Sequence, residues 1–205
     1  MNSGHAREHL VMRMPDNGGN DTNNFVQWRH APAREWKFCP LCSHALCSRV
    51  WDGKDRRYCE HCGFVYWERA LPAAAVLVYE PVRQDVLLVT RRYPPAAGGL
   101  TFPGGGIELG ESVAAAAVRE VREETGVHVA IDRQFGTWST PTNETIISFF
   151  LGHPVGGQLS AGTDALEARY FPLATAPSLV FDLHDMVLRL FRTEMLMAFH
   201  SWDHS

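Results

Sequence analysis

Gly105-Gly106-Ile107-Glu108-Leu109-Gly110-Glu111-Ser112-Val113-Ala114-Ala115-Ala116-Ala117-Val118-Arg119-Glu120-Val121-Arg122-Glu123-Glu124-Thr125-Gly126-Val127 is a glycine-rich loop running into an alanine-rich helix that ends in a carboxylate cluster. At 100° per residue, Glu123 stands about 60° to one side of Glu120 and Glu124 about 40° to the other, so the three acids share one arc. Like charges at this spacing weaken a helix, and neighbouring carboxylates resist ionising together. A solvated acidic helix end is the bland alternative. Acids at a helix C-terminus oppose the macrodipole, however, which leaves a purely structural motive weak. An all-oxygen donor set of this density suits Mg²⁺ or Mn²⁺ better than Zn²⁺. Ala114, Ala117, Val118 and Val121 fall on an adjoining face and are expected to pack on a core. Arg119 precedes Glu123 by four residues, within reach of an ion pair. Gly126 supplies the stop.

The pattern Gly-x5-Glu-x7-Arg-Glu-Val-x-Glu-Glu-x-Gly-Val resembles the Nudix box at every defining position from Gly105 to Val127. The resemblance implies an α/β/α sandwich with a mixed sheet, and metal-dependent hydrolysis of nucleoside diphosphates linked to another moiety. It further implies that Glu120, Glu123 and Glu124 are catalytic metal ligands and that Gly104 lends a carbonyl to the metal. Gly105, Glu111 and Arg119 would be supporting residues that fix the loop–helix geometry.

Outside the box, the 205 residues allow one ordinary domain plus a small module. No apolar run approaches the eighteen or so residues of a membrane span. Met1 to Arg13 is too polar for a signal peptide, so a soluble cytoplasmic protein with no membrane partner is expected. A net charge of −4 slightly disfavours general nucleic-acid affinity. Residues 1–36 are polar and expected to form a mobile tail, or else an arm packed through Phe25, Trp28 and Trp36. Residues 37–69 hold a cysteine module, and 70–205 the main domain. There, Ala73–Tyr79, Val86–Thr90, Ile146–Leu151 and Ala168–Phe171 read as strands, and Asp185–Phe199 as a helix capping the sheet.

Cys39-Pro40-Leu41-Cys42 and Cys59-Glu60-His61-Cys62 are two knuckles separated by sixteen residues, a spacing that fits a structural zinc ribbon. Four thiolates close the coordination shell and leave no position for catalysis. Cys47 remains as a plain thiol. The ribbon reads as a folding staple or a homodimer contact, and Arg49, Lys54, Arg56 and Arg57 give it the charge for a nucleic-acid role as the alternative.

A zinc ribbon ahead of a Nudix domain is similar, over roughly residues 38–192, to the branch containing NADH pyrophosphatases. Their Ser-Gln-Pro-Trp-type motif is absent from Phe135-Gly136-Thr137-Trp138-Ser139-Thr140-Pro141. Asp164-Ala165-Leu166-Glu167-Ala168-Arg169-Tyr170-Phe171-Pro172-Leu173 is similar to the segment of plant plastid FAD pyrophosphatase-type enzymes. That likeness implies Glu167 as a further catalytic acid and metal ligand, facing the box helix, with Asp164 the weaker candidate. Its ordinary reading is a solvent-facing glutamate at a strand edge. The substrate class implied is a small dinucleotide-type pyrophosphate (FAD, ADP-ribose or NADH) releasing AMP, with Trp138 and Tyr170 either stacking on its ring or packing in the core. The rivals are a nucleotide-sensing regulator, which the intact carboxylates and the lack of a helix-turn-helix argue against, and removal of a NAD-type cap from RNA.

Overall fold

The computed structural model describes residues 36–140 and 144–202. The expected tail, apart from Trp36, lies outside them. The cysteine module is built on β1 (Cys47–Trp51) and β2 (Lys54–Tyr58), an antiparallel hairpin closed by Asp52-Gly53. Both turn residues have positive φ, 50° and 72°, the conformation that fits a two-residue hairpin loop to the strand twist. This Asp-Gly signal lies in plain view in the sequence between the knuckles.

The main sheet comprises β3 (Leu71–Glu80), β4 (Asp85–Arg91), β5 (Leu100–Thr101), β6 (Gly104–Gly106), β7 (Val127–Ser139), β8 (Thr145–Gly157) and β9 (Ala165–Pro172), with helices α1 (Val113–Thr125) and α2 (Asp182–Trp202). Its order is β5-β4-β3-β8-β7, with β6 paired to β3 and β9 to β4. Only β3 and β8 run parallel, giving the mixed sheet that the sequence implies. All four expected strands and both expected helices are present, most of them longer at their ends. β7 was not foreseen, because three register shifts against β8 break its alternation.

Alternation along β3 feeds two cores. Ala74, Val76 and Val78 pack with Leu87 and with Ala116, Ala117 and Val121 of α1. Ala75, Leu77 and Tyr79 face Phe102, Phe149 and, on α2, Val187, Leu188 and Phe191. The buried stripe of α1 is therefore Ala116, Ala117, Val121 and Thr125. Ala114, expected in that stripe, is exposed and borders a shallow groove with Glu111 and Arg119, because the helix is rotated to turn Glu120 and Glu124 inward. Trp138 and Tyr170 each pack at the edge of an apolar cluster, as the core reading expects. No described helix is long and apolar enough to cross a membrane.

His184, at the start of α2, is the most deeply buried titratable ring among the described residues. It bonds Thr101 Oγ1 at 2.8 Å and lies against Phe102 and Phe149. Burial, reinforced by Arg91, pushes its pKa down to about 3. The unfolded chain therefore binds a proton that the folded one refuses below the ordinary histidine pKa. This penalty is absent above about pH 6.5 and grows by about 1.4 kcal/mol per pH unit below it. Melting temperature is expected to fall between pH 7 and pH 5. In His184→Gln, which keeps a partner for Thr101, the slope should flatten. An unchanged slope would show that other groups carry the acid sensitivity.

Candidate active site

Pro103-Gly104-Gly105-Gly106 passes under α1, and two of its glycines, Gly104 and Gly105, answer to close contacts. A Cβ on Gly104 would come within 2.5 Å of Ala74 O, and one on Gly105 within 2.5 Å of Glu120 Oε1. The bare backbone is what lets the strand and the helix acids lie together. Ser112 caps α1 through Ala115 N–H, and Gly126 ends it at φ 68°.

Arg119 is the fastener of the loop. Its Nε and Nη2 donate to the two Glu111 oxygens at 3.1 and 2.7 Å, Nη1 to Glu120 at 2.8 Å and Glu123 at 3.0 Å, and Nη2 also to Gly106 O at 3.0 Å. Glu111 Oε1 in turn accepts from Glu108 N–H at 2.7 Å. The Arg119 guanidinium, helped by that amide, holds the Glu111 carboxyl below its usual range. These bonds give Glu111 and Arg119 the geometry of supporting residues.

Glu124 differs from its neighbours. Gly104 N–H donates to its Oε2 at 3.0 Å, and no described cation pairs with it directly. Burial pushes its pKa up to about 7, against the pull of that amide, with Glu120 and Asp164 adding to the rise. Burial also raises Glu120, partly offset by Arg119. Glu123 stays half-exposed on Arg119. Two desolvated carboxylates side by side, in an all-oxygen setting, fit a hard divalent cation.

Asp164 comes from the loop between β8 and β9. Ser160 and Gly162 donate their N–H groups to Thr125 O and Glu124 O, each at 2.9 Å, so the loop satisfies the free carbonyls of α1. Arg92 N–H then holds Asp164 O at 3.0 Å. Asp164 thus bears on both Glu120 and Glu124. Glu167 is not brought to the cluster. It opposes Thr90 on β9 and lies 3.7 Å from Arg169, whose guanidinium covers Phe171. Alternation puts Glu167, Arg169 and Phe171 on the α2 side of the sheet, away from the box helix. The strand begins at Ala165, two residues before Glu167, so Asp164 belongs to the loop just ahead of it.

The four module cysteines converge with their sulfurs all within 4.8 Å of one another. Cys39 and Cys62 sulfurs are 3.6 Å apart, and Cys42 and Cys59 sulfurs 3.5 Å. The two knuckles repeat one backbone design. Cys39 N–H donates to His44 O and Ser43 N–H to Cys39 O; Cys59 N–H donates to Phe64 O and Gly63 N–H to Cys59 O. The Cys62 amide pulls Cys59 down to about 7. Cys42, despite the His44 amide, is pushed up to about 12 by burial and the other three sulfurs. Sulfurs packed this closely share negative charge poorly, and a bound cation relieves that. His44 and His61 stack on each other at 3.7 Å and stay outside the sulfur set.

The NUDIX domain family model matches residues 69–191, and the chain belongs to the Nudix family of hydrolases. It is 38% identical over 122 residues to the ADP-ribose pyrophosphatase of Methanocaldococcus jannaschii, covering 58% of this chain and 72% of that protein. It is 31% identical over 144 residues to the NAD-capped RNA hydrolase NudC of Stutzerimonas stutzeri, covering 70% of this chain and 50% of that one. To NudC of Pseudomonas aeruginosa it is 32% identical over 148 residues, covering 72% and 51%. The chain spans about half the length of these NudC relatives. A Nudix hydrolase structure from Nitrosomonas europaea superposes with a TM-score of 0.70 at 24% identity, over 75% of this chain and 88% of that one, a likeness of fold.

Proposed function

We propose that this protein hydrolyses the P–O–P bridge of a dinucleotide-type substrate, namely ADP-ribose, NADH or FAD, and releases AMP. The observation that carries the reading is that Arg119 gathers Glu111, Glu120 and Glu123 beside the glycine strand, whose Gly104 N–H holds Glu124. Glu120, Glu123, Glu124 and Asp164, with the Gly104 carbonyl, would hold Mg²⁺ or Mn²⁺. Bound there, the cations supply charge neutralisation on the pyrophosphate and acidify water. The chain's own part is positional. Arg119 fixes the directions of Glu120 and Glu123, and Gly104 N–H engages one oxygen of Glu124. A carboxylate of this group takes the proton of the attacking water, a contribution on the order of 10²–10⁴ in rate. Cys39, Cys42, Cys59 and Cys62 hold a structural Zn²⁺, and a cytoplasmic homodimer completes the reading.

A second reading, removal of a NAD-type cap from RNA, shares this chemistry. It is supported by the 148-residue match to NudC, which is longer than the chain from residue 69 to its end and so takes in part of the ribbon. The test is a panel of FAD, NADH, ADP-ribose, diadenosine polyphosphates, 8-oxo-dGTP and NAD-capped RNA with Mg²⁺ and with Mn²⁺. AMP release from one of the first three is expected to be fastest. Turnover confined to 8-oxo-dGTP would overturn the dinucleotide reading.

The loop acid gives a separate expectation. Asp164→Asn should lower kcat at least tenfold at little cost in KM, because it alters charge beside the box acids. Glu167→Gln should stay within about twofold, since its carboxylate faces the other side of the sheet. The reverse pattern would restore Glu167 as the loop acid.

A further inference from the structure

The β1–β2 hairpin carries a layered face of rings and cations that the hydrolytic site does not use. Cross-strand partners share a side of a sheet. The pairs Arg49↔Arg56, Trp51↔Lys54 and Cys47↔Tyr58 therefore place Arg49, Trp51, Lys54, Arg56 and Tyr58 together. The Arg49 guanidinium lies over Trp51 at 5.1 Å and over Tyr58 at 5.9 Å. Arg56 lies over Trp67 at 5.1 Å, and the Trp51 and Trp67 rings meet edge-on at 6.4 Å. Trp51 and Trp67 remain 37% and 43% exposed, whereas most other large rings among the described residues belong to the cores.

The charge on this face is unpartnered. In the main domain Arg83, Arg119, Arg133, Arg169 and Arg189 each pair with a carboxylate. Among the described residues, Arg49, Lys54 and Arg56 form no ion pair, and Arg49 and Arg56 are held by rings instead. Residues 37–69 carry six Lys and Arg against four Asp and Glu, whereas the whole chain is −4. Folding does not call for such a face, because the module's small core is Cys39, Leu46 and Cys59 with Trp36, Cys42 and Phe64.

We propose that this hairpin face binds single-stranded RNA. Guanidiniums already seated on rings lose little freedom when they meet phosphates, and both ring faces and guanidinium planes accept stacked bases. An acidic peptide would use the cations but leave the rings without work. A duplex would offer no unstacked base. The five-residue strands span about 17 Å, a length that seats only a few nucleotides, so the contact is auxiliary and local. RNA is the strand whose 5′ end can carry a P–O–P bridge. In that clause alone the inference rests on the pyrophosphatase reading.

The test measures fluorescence anisotropy of a labelled 5′-monophosphate oligouridine on the full chain carrying Glu124→Gln, so that binding is read without turnover. Unlabelled oligouridine, oligothymidine, a duplex and polyglutamate serve as competitors. Expected are salt-dependent binding, competition by oligouridine alone, and roughly tenfold or greater weakening in Trp51→Ala. Arg49→Ala is expected to lower the slope of log K against log salt by about 0.7, one phosphate contact. Zinc content confirms that each variant keeps its ribbon. Hydrolysis of ADP-ribose by the single variants Trp51→Ala and Arg49→Ala should stay at the wild-type rate, which separates this inference from the catalytic reading. Absence of oligouridine binding, equal binding by both variants, or effective competition by polyglutamate would overturn it. A shift from dimer to monomer in Trp51→Ala without RNA binding would make the face a subunit contact and also overturn it.

Discussion

Glu124→Gln is expected to reduce kcat by on the order of 10²-fold or more, while leaving the melting temperature unchanged or slightly raised. The amide oxygen of Gln can still accept from Gly104 N–H, so the strand that carries the glycines keeps its place under α1. What is lost is a negative charge beside Glu120 and Asp164. Burial already pushes that charge toward neutrality, so its removal relieves the folded state rather than straining it. Stability and activity should move in opposite directions, which an incidental acidic patch would not produce. Glu120→Gln is a less clean probe, because its carboxylate also takes an Arg119 donor at 2.8 Å. Steady-state rates across a Mg²⁺ titration decide the matter. Wild-type turnover in Glu124→Gln at saturating Mg²⁺ would remove the box from the reaction.

The box was legible because its chemistry is local. Helix period, capping glycine and carboxylate spacing fall inside one stretch, and Arg119 meets Glu123 as the four-residue spacing predicts. The cysteine spacing was equally readable, since two short knuckles bring all four sulfurs together. Legibility failed where position depends on partners distant in sequence. Which face of α1 is buried could not be read from four consecutive alanines, and the sheet chose Ala116 over Ala114. The placement of Glu167 turns on a strand starting at Ala165, and that start is set by pairing with Arg91 across a bulge. One residue of register reverses which side an acid faces. Asp164, the weaker loop-acid candidate in the sequence, carries only a modest signal. Gly162-Thr163-Asp164 is a turn-like sequence just ahead of an alternating run, which places its acid in a loop rather than on a strand.

Cys59→Ser is expected to release zinc and unfold the hairpin, while ADP-ribose hydrolysis stays within a few-fold of wild type. β1 is exposed along its entire length, and no residue of β2 is fully buried. The module's own core amounts to three buried residues and a few half-buried neighbours. Apolar burial on that scale cannot offset the entropy of ordering some thirty residues. Structural zinc contributes on the order of 10 kcal/mol in such modules, so losing one of four ligands removes the largest single source of its stability. Cys59 is the sharpest choice, being fully buried and the sulfur most disposed to ionise. The main domain has two cores of its own on either side of its sheet and should persist. Cys47→Ser is the matched control, since Cys47 is exposed on β1 and stands outside the sulfur cluster. Metal analysis with amide exchange over residues 47–58 reads the outcome. If wild-type protein carries no zinc, or if Cys59→Ser keeps both zinc and hairpin protection, the four sulfurs are not a metal site and the hairpin is held by some other means.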